Sequence, residues 1–172
     1  SDIGNNCAIG NAYPTFEKGR KYLAPGLFGP CGYGLPSIVG AKIGVPSVPV
    51  VGFAGDGAFG ISVNEMTSIG RSEWPAITMI IFRNYQWGAE KRNTTLWFKD
   101  NFVGTELDTK VSYAKMADAC GFIGTTANSM EELTSILKEA INQQMKNNKT
   151  TFIEVMLNQE LGEPFRRDAM KA

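Results

Sequence analysis

The chain has 172 residues, enough for one domain with a sizeable core. Its 17 basic and 17 acidic residues cancel, so charge gives no reason to expect a nucleic-acid surface or an anionic membrane partner. It contains no histidine, which removes Ser-His-Asp and Cys-His catalysis and His-ligated zinc unless another chain supplies the residue.

Cys7, Cys31 and Cys120 are widely spaced and form no C-x-x-C pair, which fits a reducing cytoplasm better than a disulfide framework. Gly and Pro interrupt the most hydrophobic stretch, residues 38–54, so no transmembrane helix is expected. The first residues lack a signal peptide's basic start and apolar centre, and the missing initiator Met reads as a piece of a longer chain.

In chain order, Val48 to Ala54 is a short apolar run between Pro46 and the Gly55-Asp56-Gly57 turn, and predicts a buried strand. Gly60 to Arg71 follows as a helix. Ala76 to Phe82 is nearly continuous in apolar and β-branched residues, as in a parallel strand covered on both faces. Ser112 to Cys120 predicts a short helix ended by Gly121, and Phe122 to Thr126 another strand. Ser129-Met-Glu-Glu132 is a capping box in front of Leu133, Ile136, Leu137, Ala140, Ile141 and Met145, which recur at helical spacing. Thr151 to Leu157 closes the pattern as a strand. Strands alternating with helices imply a single α/β domain, an open, mainly parallel sheet with helices on both faces.

The first strand runs into Gly55-Asp-Gly-Ala-Phe-Gly60, which satisfies G-x-G-x-x-G at a strand-to-helix turn. A nicotinamide reading meets two objections. Asp56 puts a carboxylate inside the phosphate-binding turn, and the second strand ends in Arg83-Asn84, not in an acid. A cation between Asp56 and a diphosphate resolves the first objection. Asn84 offers an amide oxygen at the same sheet edge, and Mg²⁺ takes a few protein oxygens plus phosphate oxygens. The bland alternative is that Asp56 caps a helix and Asn84 makes a loop turn.

Gly55-Asp56-Gly57, followed 28 positions after Asp56 by Asn84, resembles the motif of thiamine-diphosphate-dependent enzymes, which begins GDG and ends in a double Asn; Arg83 stands where the first Asn is expected. The resemblance implies that Asp56, the Asn84 side chain and the Gln86 carbonyl hold Mg²⁺, and that N–H groups near Gly57 and Ala58 meet the diphosphate. Gly29-Pro-Cys-Gly-Tyr-Gly-Leu-Pro36 resembles the G-x-M-G-x-G-L-P segment of acetolactate-synthase-like members. There Gly29 and Cys31 would bind the aminopyrimidine, with Cys31 in place of a bulkier Met; a Gly-rich turn with an inert thiol is the alternative.

Three longer stretches, Phe82 to Asn93, Phe102 to Asp108 and Gln159 to Ala169, are similar to the sulfoacetaldehyde acetyltransferase branch of this family, in its C-terminal third. That implies thiamine diphosphate and Mg²⁺ as cofactors, and conversion of sulfoacetaldehyde and phosphate into acetyl phosphate and sulfite. It also implies a homo-oligomer of longer chains, in which a glutamate from the N-terminal domain of the same or a second subunit meets the cofactor. No catalytic residue is assigned within this chain, and the isolated domain is expected to be inactive. In members of this family the cofactor's own amino group carries the proton transfer, so the resemblance implies that a histidine-free domain can take part. The alternatives are an acetolactate-synthase-like enzyme of 2-oxoacids and a catalytically silent assembly or regulatory domain. The pairs Lys91/Arg92 and Arg166/Arg167 could meet an oxyanion or be solvated charge, and Trp87 and Trp97 could line a pocket or pack in a core.

Overall fold

The computed structural model describes residues 1–19, 21–71 and 73–161. Four parallel strands form one sheet: β1 (Val51–Gly55), β2 (Thr78–Arg83), β3 (Ile123–Ala127) and β4 (Thr151–Met156), in the order β1-β2-β4-β3. Registers run Val51 to Thr78 and Gly55 to Phe82 between β1 and β2, and Thr78 to Thr151 and Arg83 to Met156 between β2 and β4. The helices are α1 (Asn5–Ala12), α2 (Gly34–Gly44), α3 (Asp56–Ile61), α4 (Met66–Ile69), α5 (Gly88–Trp97), α6 (Tyr113–Ala119) and α7 (Met130–Lys146).

Strand side chains alternate between two cores, as the period of two requires. On one face Met79 and Ile81 of β2 and Phe152 of β4 pack with Leu35, Ile38 and Val39 of α2, Phe59 of α3, and Tyr113 and Ala117 of α6. On the other, Ile80, Ile153 and Val155 meet Leu133, Ile136, Leu137 and Ala140 of α7. Each fully buried Leu, Ile, Val, Met or Phe among them contributes roughly 1.5–3 kcal/mol. Both faces are covered, as the strand composition requires.

Most strand boundaries fall within one to three residues of expectation, and α6 and α7 start where their caps predict. The Ser129 hydroxyl accepts from the Glu132 N–H, but Glu132 reaches back to the Asn128 N–H, one residue beyond the expected partner. The expected helix Gly60 to Arg71 is corrected: helix begins at Asp56, directly after β1, and Ser62 breaks it before a 3₁₀ turn at Val63–Glu65 and α4. Of the motif's glycines, Gly57 and Gly60 are therefore helical, while Gly55 ends β1. Three helices lack the expected signals. Helix α5 has no buried residue and so no apolar stripe, while α1 and α2 lie in the Gly-rich first third that reads as turns.

Candidate cofactor site

The C-terminal ends of β1, β2 and β4 open into a crevice of about 1250 Å³. Gly55, Asp56, Gly57 and Ala58 line it from the end of β1, and Asn84 and Gln86 from the end of β2. Gly29 and Cys31 come from the loop before α2, and Leu157 and Asn158 from the exit of β4. All eight residues singled out in the sequence thus face one space, although Gly29 and Gln86 are 57 positions apart in the chain.

Asp56 is buried, and its two oxygens have different surroundings. Oδ2 accepts from the Tyr85 N–H at 2.7 Å, the Asn84 N–H at 3.1 Å and Arg83 Nη1 at 3.3 Å. Oδ1 accepts from the adjacent Gly57 N–H at 3.0 Å. Burial pushes the Asp56 carboxyl above its ordinary value, against the opposing pull of the Tyr85 N–H, the Arg83 guanidinium and the Gly57 and Asn84 N–H groups. A divalent cation beside Oδ1 would offset that burial. Among the described residues no group of three His, Cys, Asp or Glu side chains could hold a metal. A cation here would need amide, backbone and ligand oxygens besides Asp56, which is the donor set Mg²⁺ favours.

Gly57 is where the backbone must come close: an added Cβ would stand 2.7 Å from the Trp87 ring, which also lines the crevice. Its N–H is bonded to Asp56 within the turn, so of the two positions expected to meet a diphosphate, Ala58 lies in the first helical turn, where an N–H has no partner within the helix. The Gln86 carbonyl accepts from the Gly88 N–H at 2.9 Å. Its side-chain amide donates to the Gln159 carbonyl and accepts from Lys91.

The loop bearing Gly29 and Cys31 turns through positive φ at Gly29 (59°) and Gly32 (85°), conformations open to glycine. Buried Asp2 holds it. Its carboxylate accepts from the Gly32 N–H at 3.1 Å and the Gly34 N–H at 2.7 Å. Desolvation, then the negative charges of Asp2 and Glu90, push the Cys31 thiol up, so it is not an activated nucleophile.

Sequence reasoning missed Asp2, Arg83 and Glu154. Arg83 is 1% exposed, lying between Asp56 and Glu154, with Nε 3.8 Å from Glu154 Oε1. Its Nη2 donates to the carbonyls of Asp108 and Val111, and its guanidinium stacks 4.3 Å from the Tyr85 ring centroid. Glu154 also accepts from Ser112 Oγ and the Tyr113 and Ala114 N–H groups. The available signal was Arg83 standing in place of an expected Asn. Of the basic pairs, Lys91 is paired with Glu106, Arg92 lines the crevice, and Arg166 and Arg167 lie outside the described residues. Trp97 is exposed.

A family profile, "Thiamine pyrophosphate enzyme, C-terminal TPP binding domain", matches residues 2–155. The chain belongs to this family of thiamine pyrophosphate-binding domains. Within the family it is 75% identical over 171 residues to a sulfoacetaldehyde acetyltransferase of Roseovarius nubinhibens, covering 99% of this chain and 28% of that protein. It is 27% identical over 158 residues to the acetolactate synthase isozyme 3 large subunit of Escherichia coli, covering 92% of this chain and 27% of that one. Among solved structures, the thiamine diphosphate-dependent 4-hydroxybenzoylformate decarboxylase of Rhodococcus jostii RHA1 superposes with a TM-score of 0.70 at 26% identity, over 82% of this chain and 25% of that one. The chain thus spans little more than a quarter of the length of the relatives it matches. Among the described residues no helix is long and apolar enough to cross a membrane.

Proposed function

We propose that residues 1–172 form the C-terminal cofactor-binding domain of a longer, cytoplasmic sulfoacetaldehyde acetyltransferase that converts sulfoacetaldehyde and phosphate into acetyl phosphate and sulfite. The observation that carries this reading is the 75% identity to a sulfoacetaldehyde acetyltransferase across 99% of the chain, against 27% to an acetolactate synthase. Thiamine diphosphate supplies, when bound, a nucleophilic carbon and its own proton-transfer group.

The residues fit that group. Asp56 Oδ1, the Asn84 side chain and the Gln86 carbonyl hold Mg²⁺. Gly55, Gly57 and Ala58 admit the diphosphate to the end of β1, where any side chain at position 57 would collide with Trp87. Gly29 and Cys31 line the same crevice and bind the aminopyrimidine through backbone groups. No residue here is assigned to the glutamate that must meet the aminopyrimidine; it comes from the N-terminal domain of the same or a second subunit of a homo-oligomer. The isolated domain is consequently inactive.

Calorimetric titration of the full-length protein with thiamine diphosphate and Mg²⁺ tests the site: binding is expected, with loss in Asp56→Ala. Unchanged binding in that variant, or none in the unsubstituted protein, favours a catalytically silent domain. Acetyl phosphate formation from sulfoacetaldehyde is the expected activity; turnover of pyruvate in its place would assign the protein to the acetolactate-synthase-like enzymes.

A further inference from the structure

Of the two oxygens of the carboxylate proposed as metal ligand, Oδ1 accepts from the adjacent Gly57 N–H while Oδ2 takes three donors, and the side chain that completes this hold on Oδ2 is Arg83. Resting on the metal-site reading above, we infer that Arg83 is a positioning residue that makes Asp56 a one-oxygen ligand and so sets the preference for Mg²⁺ over larger divalent cations such as Ca²⁺. Three donors converge on Asp56 Oδ2, and Arg83 acts on two of them. Its own Nη1 is one, at 3.3 Å. The second is the Tyr85 N–H, at 2.7 Å, presented by a residue with φ of 59°, a left-handed conformation uncommon for a bulky side chain. The Arg83 guanidinium lies 4.3 Å from the Tyr85 ring centroid and backs that turn. Arg83 is itself fixed, since Nη2 donates to Asp108 and Val111 at 2.9 and 2.8 Å and Glu154 lies on its other side.

With Oδ2 engaged three times, Oδ1 alone is left to bind a cation. Mg²⁺ takes one oxygen per carboxylate in a compact octahedron, whereas Ca²⁺ accepts both oxygens of a carboxylate at longer distances and a higher ligand number. An Asp56 free to turn both oxygens into the crevice would suit Ca²⁺. The guanidinium also keeps a positive charge behind the carboxylate, which limits the total anionic charge offered to the ion.

The test uses the full-length protein, titrated with thiamine diphosphate in the presence of Mg²⁺ or Ca²⁺, the ratio of the two Kd values being the readout. Two variants keep it decisive. Arg83→Lys retains the charge without the planar fork, and Arg83→Met combined with Glu154→Gln removes the guanidinium together with its second carboxylate neighbour, leaving Asp56 held by the Gly57, Asn84 and Tyr85 N–H groups. The expected result is a fall of about fivefold or more in the Ca²⁺-to-Mg²⁺ Kd ratio in the double variant, because Ca²⁺ gains the second oxygen and Mg²⁺ does not, with a smaller fall in Arg83→Lys. A smaller change in the double variant, or loss of both metals alike, overturns the inference and leaves the metal site itself standing. Failure of the unsubstituted protein to bind thiamine diphosphate with either ion overturns the site reading and this inference together.

Discussion

Glu154 sits on β4 with 3% of its surface exposed, and its carboxylate faces Arg83 and the start of α6. Replacing it with alanine removes the acceptor for Ser112 Oγ at 2.8 Å, the Tyr113 N–H at 2.9 Å and the Ala114 N–H at 3.1 Å. It also strips the Arg83 guanidinium of one of its two carboxylate neighbours. Ser112 already takes the Lys115 N–H, so Glu154 and Ser112 together satisfy three of the first-turn donors of α6. Hydrogen bonds to a charged acceptor contribute about 1.5–3 kcal/mol each but are not additive. Removing one partner of a buried ion pair costs about 3–5 kcal/mol. Asp56 and the two carbonyls still hold Arg83, so the expected loss for Glu154→Ala is about 4 kcal/mol, within the 5–15 kcal/mol that keeps a domain folded. In a urea titration of the 172-residue chain the midpoint should fall accordingly. The melting temperature should drop by about 8–16 °C, at about 2–4 °C per kcal/mol for a domain of this size. A loss under about 1 kcal/mol would refute the reasoning, because it would mean that neither the helix cap nor the ion pair depends on this carboxylate.

Two further outcomes follow from the geometry. Gly57→Ala must move the Trp87 ring or the α3 backbone, and should weaken Mg²⁺-dependent thiamine diphosphate binding by about tenfold or more, roughly 1.4 kcal/mol, as followed by tryptophan fluorescence; wild-type affinity would contradict the close approach. Burial and neighbouring carboxylates disfavour the Cys31 thiolate, so in a Cys7→Ser/Cys120→Ser background iodoacetamide alkylation should still be accelerating above the ordinary thiol pKa of about 8.5. A rate plateau below that pH would show the shift to have the opposite sign.

The sheet was legible because its strands are apolar runs in register with turn signals, and α7 because Ser129 and a clean apolar stripe mark it. Helix α5 was not, since its residues serve the crevice and a loop contact and carry no stripe to read. Part of the crevice lining was legible, because strand ends fix where Asp56 and Asn84 must lie, whereas the α1 side with Ile9 and Gly10 was not. What holds those residues was hidden. Asp2 reaches Gly32 and Gly34 across 30 and 32 positions, and Arg83 reaches Glu154 across the pairing of β2 with β4. Contacts of that range leave no local pattern.

The parallel pairing of β1 with β2 carries a consequence for folding. Asp56 follows β1 directly and Asn84 follows β2 directly, so the two proposed ligands meet only once the register Gly55 to Phe82 has formed. Nothing resembling the site can persist in the unfolded chain, and whatever binds there binds the folded state alone. By linkage, a ligand at a hundred times its Kd would deepen the native well by about 2.7 kcal/mol. Cofactor supply would then act as a folding reserve, separate from any role in turnover.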